Sequence, residues 1–276
     1  MNPVLSAWLG LFRLPNAVIA GAGVWLGYAS TFPKPDIGLA IWGSLSMLLL
    51  TAAGNADNDA CDLESDRVNR PERPLPAGKL SPGSVRRAAF LLYALAILVS
   101  GLADPWHGAL AAGMALLLLA YNRGLKGKPL VGNLAVSLLC ALAIYFPEFP
   151  ALPMRTLPAC VFALLATMAR EIVKDAEDVE GDNAAGLKTF PIVAGLVAAR
   201  KLALAVTVLI LALLPMPLVY LNYKRPYAVA SALLAAPVLL ALILELAKPA
   251  ADYSKCQRRF KWLMLGGMAA LLAGVL

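Results

Sequence analysis

Carboxylates concentrate in two short windows of the sequence. Of the 17 acidic residues, six lie at positions 57–72 and six at 171–182. Each window contains Asp-x-x-Asp-x-x-x-Asp, formed by Asp59, Asp62 and Asp66 and, at a constant offset of 116 residues, by Asp175, Asp178 and Asp182. Carboxylate oxygens in such numbers are suited to bind a hard divalent cation. The chemistry expected here is therefore that of a metal ion and the anion it accompanies.

Helical spacing would turn each window into a stripe of oxygen ligands, because residues three, four, seven and eight apart share a face. The stripes are Asn58, Asp62 and Asp66, and Asp175, Asp178 and Asp182. Unpaired, the carboxylates would repel one another and lose hydration at a membrane interface. Mg²⁺ removes this difficulty, since it binds one or two carboxylates together with phosphate oxygens. Two facing stripes would hold a diphosphate through bridging ions.

Two other interpretations of the windows are weighed against a metal site. Charge runs usually belong to solvated faces, which neighbours such as Arg67 and Arg73 would neutralise. The repetition of the same spacing at two equivalent membrane ends favours the metal site. A calcium loop of the EF-hand type is excluded, because its glycine and terminal glutamate positions do not match.

The elements that carry the windows are apolar. The chain has 276 residues, of which 60% are hydrophobic and 15% charged, so the bilayer is the expected solvent. Stretches of roughly 17–25 apolar residues, the length that a bilayer requires, recur along it. Nine are predicted, at 14–31, 37–57, 84–103, 106–121, 130–148, 156–173, 202–221, 227–247 and 260–276. The fold class predicted is an all-α, polytopic membrane protein with a nine-helix transmembrane bundle.

Basic residues indicate the orientation, because they accumulate in cytoplasmic loops. With the N-terminus inside, twenty of the 24 lie in the N-terminal segment or in cytoplasmic loops. The other four are Lys34, Arg155, Lys224 and Arg225. Both acidic windows follow even-numbered helices and reach the cytoplasmic side. Loops facing anionic headgroups account for the net charge of +7, so no nucleic-acid partner is expected.

The constant offset between the windows predicts an internal repeat. The expected organisation is a single domain, 1–276, with four-helix units at about 1–125 and 126–250 and a ninth helix appended. Basic residues at the depth of the windows could contact a diphosphate, namely Arg13, Arg67, Lys126 and Lys174. Each could equally be a positive-inside residue without a substrate contact.

Three parts of the chain resemble the UbiA superfamily of intramembrane prenyltransferases. They are 58–66 with 69–78, 121–126 with Pro129 and Gly132-Asn133, and 170–182. The likeness covers nearly the whole chain. Within the superfamily, Asn-Arg-Pro-Glu-Arg-Pro and Arg-Glu-Ile-Val-Lys-Asp are similar to the digeranylgeranylglyceryl phosphate synthase branch, an assignment by analogy.

The resemblance implies a nine-helix bundle whose central cavity is capped on the cytoplasmic side. The implied Mg²⁺ ligands are Asn58, Asp62, Asp66, Asp178 and Asp182, with Asp59 and Asp175 as further candidates. Four of these, Asp62, Asp66, Asp178 and Asp182, would carry the catalysis. The substrate contacts would come from Arg13, Asn16, Arg67, Lys126 and Lys174. Tyr121 would lie near an allylic cation and attract it by cation–π interaction, although an aromatic residue is expected at this interface in any case.

The reaction implied is Mg²⁺-dependent transfer of a geranylgeranyl group from geranylgeranyl diphosphate to the hydroxyl of geranylgeranylglyceryl phosphate, in ether-lipid biosynthesis. The expected partners are the isoprenoid diphosphate, the lipid-like acceptor and the bilayer of the cell membrane, with no obligatory protein partner. An aromatic or quinone-precursor acceptor of the hydroxybenzoate type, or a tetrapyrrole, is the alternative. An ion-coupled transporter is disfavoured, because both acidic stripes lie at one membrane face rather than at the midplane.

Overall fold

A computed structural model describes residues 3–32, 36–151, 155–220 and 223–275, and within these ranges the chain is helical without strands. The helices are α1 (Pro3–Phe12), α2 (Leu14–Thr31), α3 (Ile37–Cys61), α4 (Leu63–Asn69), α5 (Pro82–Ala103), α6 (Pro105–Ala120), α7 (Val131–Tyr145), α8 (Leu157–Glu177), α9 (Val179–Ala184), α10 (Phe190–Ala194), α11 (Leu196–Leu213), α12 (Met216–Tyr220), α13 (Arg225–Ala230), α14 (Ala236–Ala247) and α15 (Tyr253–Val275). π-Helical turns at Tyr121–Leu125 and Ser231–Ala235 follow α6 and α13. The all-α prediction is confirmed for the part described.

Six helical segments in the described ranges are long and apolar enough to cross a membrane. They are Ile37–Cys61, Pro82–Ala103, Pro105–Leu125, Val131–Glu148, Leu196–Val219 and Arg225–Ala247. Helices α1 and α2, bent by 43° relative to each other, form a seventh if they count as one span. The predicted count of nine is not confirmed, because α8 and α15 have the length of a span but carry charged residues near one end.

Two helices begin earlier than the hydrophobic stretches that predicted them. Helix α11 begins at Leu196 rather than at 202, and α15 begins at Tyr253 rather than at 260. The added turns contain basic residues such as Arg200 and Lys255. A hydropathy pattern misses these turns because they are helical but polar.

Alanines fill many of the helix interfaces, and many leucines face outward. One core cluster joins α2, α3, α5, α6 and α7, and another joins α8, α11, α14 and α15. Ala53 and Ala203 are fully buried in these clusters, whereas Leu91 and Leu102 are more than two-thirds exposed. Small residues let helix backbones approach closely, and lipid covers the larger apolar side chains outside.

Contacts between loops define the two ends of the bundle. At one end, the Lys188 backbone N–H donates to the Gly127 carbonyl at 3.2 Å, and α4 contacts α9. At the other end, the Arg155 guanidinium donates to the Thr31 carbonyl at 2.9 Å. Lys34, predicted for that second end, lies outside the described residues. Both acidic windows therefore lie at the end where the loops rich in basic residues meet.

Candidate active site

Each acidic window lies where a long helix breaks and a short helix follows. Asp62 alone separates α3 from α4, and Asp178 alone separates α8 from α9. The backbone angles at the two breaks are φ −88°, ψ 9° and φ −89°, ψ 9°. The duplicated sequence pattern therefore has a duplicated local structure.

The two short helices contact each other and bring the windows together. The Asn69 side-chain amide donates to the Asp178 carbonyl at 3.0 Å and accepts from the Gly181 backbone N–H at 3.1 Å. The Ser65 hydroxyl donates to the Asp182 carboxylate at 3.1 Å. Because these bonds link α4 to α9, oxygen ligands from both windows share one end of the bundle.

Arginines pair with two carboxylates of the first window. The Arg73 guanidinium donates to both oxygens of Asp66, at 2.8 and 2.6 Å, and to Asp59 at 3.3 Å. Arg13 also pairs with Asp59. Arg13 has φ 49°, ψ 55° at the bend between α1 and α2, a left-handed conformation that costs a residue other than glycine about 1–3 kcal/mol. The bend and the ion pair together direct Arg13 toward the window.

The carboxylates at the two helix breaks are also paired with cations. The Lys126 ammonium lies 2.5 Å from Asp62. Arg70, just after α4, donates to Asp178 of the second window at 2.8 Å. These cations could instead bind phosphate oxygens once a metal ion occupied the carboxylates.

Burial changes the acidity of the short-helix carboxyls. It raises the pKa of Asp66, against the opposing effect of the Arg73 guanidinium. It likewise raises the pKa of Asp182, which is 2% exposed, against the opposing charge of Lys126. The protein alone thus compensates these negative charges incompletely.

The donor set of the windows fits Mg²⁺. In the described ranges, no three acidic, histidine or cysteine side chains form a metal cage. Mg²⁺ does not need one, because it takes one or two protein carboxylates and completes its octahedron with water and phosphate oxygens. Two neighbouring windows of aspartates supply such carboxylates from both sides.

A cavity of about 320 Å³ extends from this end into the bundle. Five predicted site residues line it, namely Arg13, Asn16, Asn58, Tyr121 and Lys174. Its other walls are mainly apolar and include Leu50, Leu139, Phe162, Met268 and Leu271. Such a cavity suits an amphipathic ligand with an anionic head and a hydrocarbon tail.

A buried polar group positions the cavity residues at the end of α6. The Asp57 carboxylate accepts from Asn122 at 2.9 Å and from Arg123 at 3.3 Å. The Asn122 side-chain oxygen accepts from the Asn58 amide at 3.3 Å. These bonds attach the π-helical turn to α3 and keep Tyr121 and Asn58 on the cavity wall.

Helix α8 carries a second set of polar contacts. Glu171 accepts from Arg170 at 2.6 Å and from Lys174 at 3.2 Å, and all three line the cavity. The Asp175 carboxylate is buried and accepts from the Asn133 amide of α7 at 2.7 Å. Asp175 is therefore bonded to α7, whereas Asp178 and Asp182 contact the first window.

Arg67 lies apart from the other predicted basic residues. Its side chain is 57% exposed, and its ion-pair partner is Glu64, at 2.8 Å. Arg70 and Arg73, for which residue spacing predicted no site contact, make the aspartate contacts instead. Both lie in or beside the non-helical stretch that follows α4, whose path helical spacing cannot predict.

Membrane-length helices enclose an apolar cavity that ends at two equivalent carboxylate windows. This architecture defines a class of protein, the intramembrane enzymes that act on an amphipathic anion. Residues 16–265 match the sequence model of the UbiA prenyltransferase family, and the chain belongs to that family. It is a multi-pass membrane prenyltransferase.

Two relatives are similar along their whole length. The digeranylgeranylglyceryl phosphate synthase of Methanopyrus kandleri is 38% identical over 275 residues, covering 99% of this chain and 100% of the relative. The enzyme of the same name from Methanosarcina mazei is 32% identical over 296 residues, covering all of both chains.

Solved structures share the fold. One, described as a digeranylgeranylglyceryl phosphate synthase in membranes, has a TM-score of 0.75 and 28% identity, covering 99% of this chain and 98% of its own. A UbiA homologue from Archaeoglobus fulgidus, bound to GPP and Mg²⁺, has a TM-score of 0.72 at 17% identity, covering 96% of this chain and 99% of its own. The expected UbiA-like fold is confirmed.

Proposed function

We propose that this chain transfers a geranylgeranyl group from geranylgeranyl diphosphate to the hydroxyl of geranylgeranylglyceryl phosphate, in ether-lipid biosynthesis. The observation that carries the proposal is the cavity, whose apolar walls suit isoprenoid chains and whose polar rim includes Arg13, Asn58 and Lys174. Two relatives named digeranylgeranylglyceryl phosphate synthase, at 38% and 32% identity, support this choice of substrates.

In the proposed reaction, the bond between the allylic carbon and the diphosphate oxygen breaks, and its electron pair leaves with diphosphate. The acceptor's hydroxyl oxygen then bonds to the allylic carbon and loses its proton to the released diphosphate, which gives a second ether. The Tyr121 ring lines the cavity and would stabilise the allylic positive charge by cation–π attraction. The apolar walls would exclude water, which would otherwise capture the cation.

The windows would hold Mg²⁺ through Asn58, Asp62, Asp66, Asp178 and Asp182, with Asp59 and Asp175 supporting them. When bound, Mg²⁺ supplies positive charge that offsets the charge developing on the leaving diphosphate. The Asn69 and Ser65 bonds across the windows would keep both ligand sets close together. The UbiA homologue of the same fold that was solved with GPP and Mg²⁺ supports this assignment.

The basic residues would exchange carboxylate partners for phosphate oxygens. Lys126 and Arg13 already lie beside window aspartates, and Lys174 lines the cavity. Charge-assisted hydrogen bonds to phosphate are among the stronger polar contacts in proteins. Asn16 would add an uncharged donor at the rim. Arg67 would have to leave Glu64 before it could take part.

The proposed topology has nine crossings, formed by α2, α3, α5, α6, α7, α8, α11, the α13–α14 segment and α15. The windows then face the cytoplasm from the cell membrane. The charges of α8 and α15 do not oppose this, because Arg170, Lys174 and Lys261 line the cavity rather than facing only lipid. The matching breaks at Asp62 and Asp178 support the internal repeat of units at about 1–125 and 126–250.

The test is to reconstitute the purified protein in liposomes with Mg²⁺, geranylgeranyl diphosphate and geranylgeranylglyceryl phosphate. Mass spectrometry should detect digeranylgeranylglyceryl phosphate. The same diphosphate offered with 4-hydroxybenzoate should give no product. Prenylation of the aromatic acceptor alone would contradict the proposed acceptor, and ion flux without prenyl transfer would contradict the enzymatic proposal.

A further inference from the structure

Lys261, on α15, is a cavity cation without a carboxylate partner. It lines the cavity, and its ammonium group makes no hydrogen bond or ion pair with any residue that the structure describes. The other basic residues of the cavity differ in this respect: Arg13 pairs with Asp59, and Arg170 and Lys174 pair with Glu171. Lys261 is exposed, so its ammonium group is accessible to an anion that enters the cavity.

Other cations act on Lys261 and add to the positive potential around it. The charges of Arg170, Arg13 and Arg70 all act on its ammonium group. One donor of Arg170, its Nε, is also buried without an acceptor, although its guanidinium bonds Glu171 through another nitrogen. Buried donors are almost always satisfied in native proteins, so an orphan calls for an acceptor. Together, Lys261 and Arg170 present unused donors to one anion.

The face of α15 that follows Lys261 suits a hydrocarbon chain. Met264, Met268 and Leu271 lie three, seven and ten residues further on, so they share its face of the helix, and all three line the cavity. A ligand lying along this face would place an anionic head at Lys261 and an apolar tail beside the methionines.

The anion that fits is not the diphosphate of the prenyl donor. The diphosphate is expected at the acidic windows, where Lys126, Arg70 and Arg73 each contact an aspartate. Lys261 contacts no window aspartate, so an anion there would be bound directly by nitrogen donors, without a metal ion. A phosphate monoester offers several acceptor oxygens for such donors.

We infer that Lys261 and Arg170 bind the phosphate of the acceptor lipid, and that the acceptor's chain lies along Met264, Met268 and Leu271. This inference rests on the proposed function and assigns a specificity role to residues outside the acidic windows. The enzyme would select a phosphorylated acceptor over the corresponding alcohol through this pair.

The experiment compares geranylgeranylglyceryl phosphate with geranylgeranylglycerol as acceptor for wild type, Lys261→Ala, Lys261→Arg and Arg258→Ala. In Lys261→Ala the preference for the phosphorylated acceptor, as the ratio of kcat/KM values, should fall about ten- to one-hundredfold, as expected for a lost charged hydrogen bond. The KM for geranylgeranyl diphosphate should rise less than about threefold. Lys261→Arg should keep most of the preference. Arg258, exposed one turn earlier and bonded to Ser254, is the matched control and should behave as wild type.

A binding measurement tests the phosphate site independently of turnover. Without diphosphate, geranylgeranylglyceryl phosphate should raise the melting temperature of the wild type in detergent and not that of Lys261→Ala. A selective rise in the KM for the diphosphate, or an unchanged acceptor ratio in a folded Lys261→Ala, would overturn the inference. A loss of acceptor preference in Lys261→Ala that is seen only in anionic vesicles would also overturn the inference, since the lysine would then bind bilayer headgroups. Failure of the wild type to prenylate either acceptor would count against the proposed function, while the binding arm would still decide the phosphate site.

Discussion

Asp62 and Asp178 break their helices with backbone angles that agree within 1°, although they lie 116 residues apart in the chain. Each is followed by a short helix, and these two helices contact each other. The side chains differ in their partners, because Lys126 pairs with Asp62 and Arg70 pairs with Asp178. The two positions are therefore equivalent in backbone and complementary in their cations.

Removal of either carboxylate should stop transfer. Asp62→Ala and Asp178→Ala should each lower kcat about a hundredfold or more, because each deletes a ligand of a shared metal diphosphate site. Asp62→Asn and Asp178→Asn, which keep the side-chain shape, should show the same loss. Steady-state kinetics in detergent is the measurement, and size-exclusion chromatography with circular dichroism checks the fold.

Glu64→Ala and Glu180→Ala are the matched controls, since both residues are exposed acids of the same windows. They should stay within about threefold of the wild-type kcat. Equal losses in the controls and in the aspartate variants would show that general window charge, rather than ligation, sets the rate.

Metal removal should have the same outcome as ligand removal. Excess EDTA should abolish transfer, and titration with Mg²⁺ should restore it, because the windows provide oxygen ligands. Circular dichroism should show that the chelated protein keeps its helices, since the core clusters of the bundle contain no window aspartate. Full activity in excess chelator would rule out the metal role.

Much of this arrangement could be predicted from residue spacing. The repeated aspartates, the apolar stretches and the bias of basic residues together predicted a helical membrane protein with both windows at one end. Helical spacing also placed Asn58 on the same stripe as Asp62 and Asp66, and Asn58 does line the cavity. These features are local, so a periodic pattern is enough to show them.

The partners of the carboxylates could not be predicted in this way. Arg73 reaches Asp66 through a non-helical turn, and Asn133 of α7 reaches Asp175 from 42 residues away. Lys261 arrives at the cavity on the last helix of the bundle. Such contacts depend on how helices pack, and neither hydropathy nor charge counts contain that information.

Lys126→Ala should weaken binding of the prenyl donor more than binding of the acceptor. Lys126 lies against Asp62, so its ammonium would meet the diphosphate at the metal site. Loss of one charged hydrogen bond should raise the KM for geranylgeranyl diphosphate about tenfold or more. Lys128→Ala, an exposed lysine two residues further on, is the control and should leave both KM values unchanged. A rise confined to the KM for the acceptor would show that Lys126 contacts the acceptor phosphate instead.

Gly181→Ala should separate the two windows. A Cβ at this position would lie 2.2 to 2.6 Å from the side-chain amide of Asn69, which joins α4 to α9. Overpacking of this kind costs about 1–3 kcal/mol, so both the melting temperature and kcat should fall. Gly83→Ala, where a Cβ meets open space in α5, is the control and should lower neither, since alanine favours a helix more than glycine does.

A double variant tests whether the clash with Asn69 causes the Gly181→Ala defect. Asn69→Ala removes the side chain that the new Cβ would meet, so Asn69→Ala/Gly181→Ala should melt higher than the sum of the single losses predicts. Contacting residues show this non-additivity, whereas distant ones do not. Strictly additive losses would show that the clash with Asn69 does not cause the Gly181→Ala defect.

The proposed topology puts Lys79 and Arg225 on opposite sides of the membrane. Lys79 lies in the loop between α4 and α5, at the end with the windows, and Arg225 begins α13 at the other end; both side chains are exposed. In an active variant lacking the four native cysteines, Lys79→Cys and Arg225→Cys give single labelling sites. A membrane-impermeant maleimide should label Arg225→Cys in intact cells and Lys79→Cys only in inside-out vesicles, because basic loops stay in the cytoplasm. The reverse pattern would show that the protein has the opposite orientation in the membrane. Labelling of both sites from one side would show that the number of crossings between them is even rather than the predicted odd number.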